Sequence, residues 1–349
     1  MFLKKCLRAG IIGIGSWYSK AFASAINKMP EIHLVCAAHL GQDNETLKAA
    51  ANITRESYAE TFQVKLYETA EEMIRKESLD MVFISSKNSS KPTYAALAAK
   101  SGLDVYLAKP MCATLEGAEV IVKACRKYSK VLMATLNPAR YDGAISEMYT
   151  RVETGEIGET LTARAWIQHG AFRSDFRFDG SPEFEKGQGG IELSLGVYAA
   201  DLLNWLIGSE AIRVYAEYDN LNTKWSPFMD TGKAIVRYEN GKIGSMDIIF
   251  STICPAPLWE MEVVGSKAII RTHQTAFEGV IWRTETSDII PFYRNQNDVM
   301  VGALRRWVRS CLERTTPDLP VEEAEKVIEL CLAWKKSAET RKIVSLPLK

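Results

Sequence analysis

Lys109 stands between the short apolar run Asp104–Leu107 and Pro110. Such a run reads as a buried strand, and the carboxyl end of a parallel strand is where open α/β sheets meet their ligands. Pro110 removes a backbone donor and biases residue 109 toward an extended conformation, so the ammonium is aimed rather than loose. Gly13 and Gly15 follow an apolar run and open a helical pattern, a setting in which a backbone can approach a pyrophosphate. A third set, Ser194, Tyr198 and Asp201, is spaced i, i+4, i+7 and shares one face of an expected helix. A hydroxyl, a phenol and a carboxylate on one face can bind hydroxyls and move protons. The alternative for Tyr198 is packing against Trp205 with one hydrogen bond.

The elements that would position these residues alternate in the first third of the chain. Strands are expected at 9–14, 33–38, 81–85, 104–107 and 131–134, with helices at 17–28, 44–51, 93–100 and 115–128 between them. Thr69 to Glu72 has the form of a capping box and starts one more helix. This alternation predicts a parallel, doubly wound sheet, the Rossmann arrangement. After residue 135 strands succeed one another, at 160–168, 212–217, 233–238, 243–250 and 259–264, with a helix over 192–206. Asn240 and Gly241 mark a hairpin. The last two segments, 299–312 and 321–340, are amphipathic helices. The expected fold is α/β: a Rossmann dinucleotide-binding domain over 1–135, then an α+β domain over 136–349. The second domain would carry an open, mostly antiparallel sheet and bind substrate.

Composition excludes some classes. The 349 residues contain 43 basic and 43 acidic side chains, which gives no electrostatic case for nucleic acid or an anionic membrane. No segment approaches the roughly 20 apolar residues of a membrane span. Seven scattered cysteines, none in C-x-x-C spacing, suggest no metal site and point to the cytoplasm.

At the cofactor site Gly13 would make the tight turn and Gly15 the close approach, with Ser16 and Trp17 at the helix start. Tyr18 occupies the third glycine position, which should push the helix off the strand or turn the ring outward. The second strand ends in His39, where a ribose-binding carboxylate would be expected. The cofactor is therefore NAD or NADP, with a lean to NADP. Asp43 can compensate for the missing acid, and His39 can equally be an ordinary strand-end histidine. Ser85, Ser86 and Asn88 follow the fourth strand and would join Lys109 and Pro110 at the strand ends. Lys91 would bind a cofactor phosphate or a substrate anion, or be a solvated lysine before Pro92. His169 and Arg173 follow the strand at 160–168 and would line a substrate cleft, or belong to a surface loop of scattered charge.

These motifs together resemble the Gfo/Idh/MocA family, the glucose–fructose oxidoreductase and inositol dehydrogenase group, over nearly the whole chain. The glycine turn, Ser86 with Asn88, and Ala108-Lys109-Pro110 fit its first domain; Gly189 through Asp201 fit its second. The sequence departs where the family has Glu-Lys-Pro (here Ala108), a histidine (here Lys91), and Asp and His in the helix motif (here Ser194 and Tyr198). Residues 136–141 are also out of register with the family's usual pattern. The resemblance implies an enzyme: an NAD(P)-dependent dehydrogenase or reductase acting on a CH–OH carbon of a sugar, cyclitol or derivative. Tyr198 would exchange the hydroxyl proton, Lys109 would stand beside it and steady the alkoxide, and Ser194 would position a hydroxyl. Two alternatives remain: a cofactor-binding protein without chemistry, and NAD-assisted glycoside hydrolysis or elimination. The open sheet face predicts a homodimer or homotetramer.

Overall fold

The computed structural model describes residues 6–168, 187–222, 229–250, 258–273, 278–283, 289–293 and 298–348. It contains two compact units, one formed by Met1–Leu136, Arg177–Gly190 and Met300–Ile328, the other by Asn137–Phe176, Ile191–Val299 and Glu329–Lys349. A single cut near residue 135 would leave residues 300–328 in the second unit, but they pack with the first. Trp307 stacks on Tyr106 with ring centroids 5.1 Å apart, and Arg314 Nη1 lies 2.6 Å from Asp104 Oδ2.

The first unit is built on six strands: β1 (Leu7–Ile12), β2 (Ile32–Ala38), β3 (Lys65–Tyr67), β4 (Met81–Ile84), β5 (Asp104–Leu107) and β6 (Met133–Thr135). All pair in parallel, in the order β3-β2-β1-β4-β5-β6 of a Rossmann sheet. Every residue of β4 and β5 is buried, as parallel strands covered on both faces should be. Register brings the strand ends level: Ile12 pairs with Ile84, and Ile84 with Leu107. Gly13, Ser85 and Ala108 therefore emerge side by side at the edge where strand order reverses.

The second unit carries a nine-stranded sheet among the described residues. Its strands are β7 (Thr160–Gln168), β8 (Ala211–Asp219), β9 (Thr231–Tyr238), β10 (Ile243–Ile249), β11 (Leu258–Gly265), β12 (Ala268–His273), β13 (Glu278–Arg283), β14 (Ile289–Tyr293) and β15 (Val344–Ser345). The order is β14-β13-β12-β11-β7-β10-β9-β8-β15, antiparallel except for the pair β7–β10. The hairpin expected at Asn240 and Gly241 joins β9 to β10, with Gly241 at φ 82°. Helix Gly196–Ile207 lies on the face formed by Ala163, Ala165, Ile167, Met246 and Ile248, all buried. The buried indole of Trp334 closes the same core against two glycines. A Cβ on Gly232 would come within 2.6 Å of that ring, and one on Gly196 within 3.2 Å.

The single helix expected over 192–206 is two helices, Gly190–Ser194 and Gly196–Ile207, broken at Leu195. The second begins at Gly196, where a Cβ would come within 3.2 Å of both Cys331 and Trp334, so tertiary packing bears on the point where the helical pattern breaks.

Candidate active site

The dinucleotide turn begins with Gly13 at φ +89°, where a Cβ would lie 2.7 Å from the Ser86 backbone nitrogen. Only glycine fits that conformation and that gap. Ser85 ties the turn to β4, its Oγ donating to the Gly13 carbonyl at 2.6 Å. Ser16 caps helix Trp17–Ile26, and its Oγ accepts from the Ser19 amide at 3.3 Å. At Gly15 a Cβ would meet the Gln42 amide group at 2.6 Å, so the side chain after β2 reaches across the turn.

Of the two outcomes expected for Tyr18, the outward-turned ring is not the one found. Its ring is buried, 7% exposed, rather than turned outward. It meets Trp17 edge-on at 5.1 Å and Phe22 at 6.2 Å, and the Lys109 ammonium lies 5.5 Å from its centroid. A cation over its face gives the phenol ring a reason to point inward.

Lys109 is itself buried at 6% exposure, and its peptide bond to Pro110 is cis. The Ala108 amide donates to the Ile84 carbonyl at 2.8 Å, which joins this loop to the end of β4. Ser16, Tyr18, Ser85, Ser86, Lys87, Asn88, Lys91, Ala108 and Lys109 line one cleft. The structure thus brings together most of the expected strand-end residues of the first unit. Lys91 is buried in this cleft and is not a solvated lysine; its ammonium reaches Asn88 Oδ1 at 2.8 Å, the Ala108 carbonyl at 2.8 Å and the Pro110 carbonyl at 2.7 Å. Gln188 was not singled out from the sequence, yet it fixes the loop after β4. Its carbonyl accepts from Asn88 Nδ2 at 2.7 Å, and its side chain exchanges hydrogen bonds with Ser89 at 3.0 and 2.8 Å.

At the end of β2, His39 is buried, and its Nδ1 has no hydrogen-bond partner among the described residues. Burial, then the Arg55 charge, lowers the His39 pKa and favours the neutral ring. Arg55 donates through Nε to the Gln42 carbonyl at 2.7 Å and through Nη2 to the Gly41 carbonyl at 3.2 Å. Asp43 is already engaged as a helix cap: its Oδ1 accepts from the Thr46 amide at 2.8 Å, and that bond is the main cause of its lowered pKa.

In the second unit Ser194 and Tyr198 are both buried. The Tyr198 ring neighbours Trp259, with centroids 5.6 Å apart, while Trp205 stacks instead on Tyr149 at 3.7 Å. Asp201 lies 1% exposed and accepts from Asn137 Nδ2 at 2.6 Å and Arg140 Nε at 2.8 Å, with a second Arg140 contact at 2.5 Å. The segment whose register looked irregular, 136–141, supplies both partners. His169 and Arg173 lie outside the described residues.

Residues 7–136 match the family described as an oxidoreductase family with an NAD-binding Rossmann fold, and residues 145–271 match the GFO/IDH/MocA C-terminal domain. The chain belongs to the Gfo/Idh/MocA family of oxidoreductases. Among its relatives is the myo-inositol 2-dehydrogenase of Thermotoga maritima, 22% identical across 97% of this chain and 98% of that protein. A D-apiose dehydrogenase of Paraburkholderia graminis is 27% identical over 76% of this chain and 68% of its own length. In fold, the chain is similar to a scyllo-inositol dehydrogenase from Lactobacillus casei solved with NAD(H) and scyllo-inositol. That likeness has a TM-score of 0.79 and 19% identity, and covers 98% of this chain and 99% of that one. The first unit fits the dinucleotide of this family. Its glycine turn has no room for a Cβ at Gly13, a helix N-terminus comes directly after it, and the cleft lies where strand order reverses.

Proposed function

We propose that this oxidoreductase moves a hydride between a nicotinamide dinucleotide and a carbinol or ketone carbon of a sugar, cyclitol or derivative. The observation that carries this reading is Lys109, fixed at the strand-reversal edge in one cleft with the residues of the dinucleotide turn. When bound, the nicotinamide supplies the hydride acceptor or donor. Gly13, Gly15, Ser16 and Trp17 would hold the pyrophosphate, and Ser85, Ser86, Asn88 and Pro110 would border the ring. Lys109 would hydrogen-bond the substrate oxygen and stabilise negative charge developing there. Tyr198 would take the hydroxyl proton in oxidation and return it in reduction, and Ser194 would orient a neighbouring hydroxyl. The curated relatives named for inositol and apiose support this substrate class.

The test is turnover of myo-inositol, scyllo-inositol and D-apiose with NAD+ and NADP+, monitored by nicotinamide absorbance. Lys109→Met and Tyr198→Phe should each lower kcat by about 10²- to 10⁴-fold. Nucleotide binding without turnover across a wider sugar panel would favour a non-catalytic role, and full activity of Lys109→Met would refute the mechanism.

We infer NADP as the preferred cofactor. No carboxylate ends β2, the Asp43 carboxylate caps a helix, and Arg55 stands on the loop carbonyls beside neutral His39. At the end of β2 a 2′-phosphate would meet the Arg55 cation and neutral His39, with the Glu68 carboxylate also close enough to act on His39. The expected result is tighter binding of 2′,5′-ADP than of 5′-AMP, with the difference reduced in Arg55→Met; titration calorimetry checks it. Equal affinities would point to NAD. The six described cysteines are free thiols, which fits a cytoplasmic setting. We also propose a homo-oligomer formed through the second unit's sheet.

A further inference from the structure

Lys91 is the first residue of helix Lys91–Lys100, with its side chain 2% exposed. A helix N-terminus is the positive end of the dipole, and burial strips an ammonium of water, so this is a poor place to keep a cation for stability alone. Among the described residues its ammonium donates to three neutral oxygens. Two of these, the carbonyls of Ala108 and Pro110, flank Lys109 in the chain. The third, Asn88 Oδ1, belongs to the loop after β4, and the same amide's Nδ2 donates to Gln188. One ammonium thus pins the backbone on both sides of Lys109 and ties it to the neighbouring loop.

We propose that Lys91 is the positioning residue for Lys109 and takes no cofactor phosphate. The proposal rests on Lys109 being the substrate-facing cation. An apolar side chain of similar length would fill the space without desolvating a charge. It could not hold two carbonyls and an amide oxygen from a single point. Arginine could not either, because its donors spread in a planar fork.

The test compares wild type with Lys91→Met and, in case that core change prevents folding, Asn88→Ser. The probe is pyridoxal 5′-phosphate and then borohydride, with modified lysines located by peptide mass spectrometry. Lys109 should be labelled several-fold faster in each variant that folds. Lys65, whose side chain is 63% exposed, should be labelled at the wild-type rate. For a substrate found in the turnover panel, Lys91→Met should lower kcat about 10- to 100-fold, the cost of misplacing a catalytic group by about 1 Å, with KM for the dinucleotide little changed. Wild-type labelling of Lys109 in the variants that fold would overturn the proposal. So would a parallel rise at the half-buried Lys20 and Lys242, which marks general loosening. Labelling needs no turnover, so it decides the role of Lys91 even if Lys109→Met keeps full activity and the hydride mechanism fails.

Discussion

Asp201 and Arg140 form a buried pair, with side chains 2% and 6% exposed, and Arg140 also covers the Trp205 ring at 4.7 Å. Asn137 completes the set on Asp201. Such a carboxylate is occupied by its own unit, which argues for a framework role for Asp201. Removing one charge of a buried pair strands the other. Asp201→Asn should therefore cost about 3–5 kcal/mol, and Asn137→Ala, which removes one hydrogen bond to a charge, about 1.5–3 kcal/mol. Urea unfolding monitored by tryptophan fluorescence measures both. An Asp201→Asn protein with the wild-type midpoint would show that this pair is not part of the framework.

At the level of elements, the site depends on three strands ending level and on the residue that leaves the end of each. Gly13→Ala should introduce about 1–3 kcal/mol of backbone strain at φ +89° and push against Ser86. We expect weaker NADH and NADPH binding by fluorescence titration, with β1 itself intact by circular dichroism; unchanged affinity would show that the turn does not carry the dinucleotide. The alternation of strands and helices made this architecture legible, as did the glycine turn and the Asn240–Gly241 hairpin. Helix Arg55–Phe62 was missed because its capping box, Thr54 with Ser57, uses serine where glutamate or glutamine is the usual signal. β3 has only three residues, too few to show a period. β14 contains Pro291, which reads as a breaker and is tolerated because the strand lies at the sheet edge. The site was legible in its types and not in its bonds. Lys91 and Arg55 bind backbone carbonyls, and Gln188 meets Asn88 across 100 residues, so no spacing rule connects them.

For the whole molecule, the informative surface is the sheet face opposite helix Gly196–Ile207. Pairing places Tyr215 opposite Ile235, Ile235 opposite Ser245, and Ser245 opposite Arg164 in one row across four strands. Asp247, buried at 5% exposure, accepts from Arg164 at 2.8 Å and from Lys233, and Arg271 pairs with Glu262. Ile235 is 59% exposed beside this ion-paired lattice. A purely apolar face would favour sticking to anything. One that mixes aliphatic and aromatic side chains with fixed charge pairs specifies a partner more narrowly, and an identical face can supply matching charges through two-fold symmetry. Light scattering on a sizing column at micromolar protein should give two or four times the chain mass. Ile235→Asp, which places a charge in the middle of the face, should lower that mass to one chain without unfolding the protein. A monomeric wild type would remove the sheet as an interface, and an oligomer indifferent to Ile235→Asp would place the contact elsewhere.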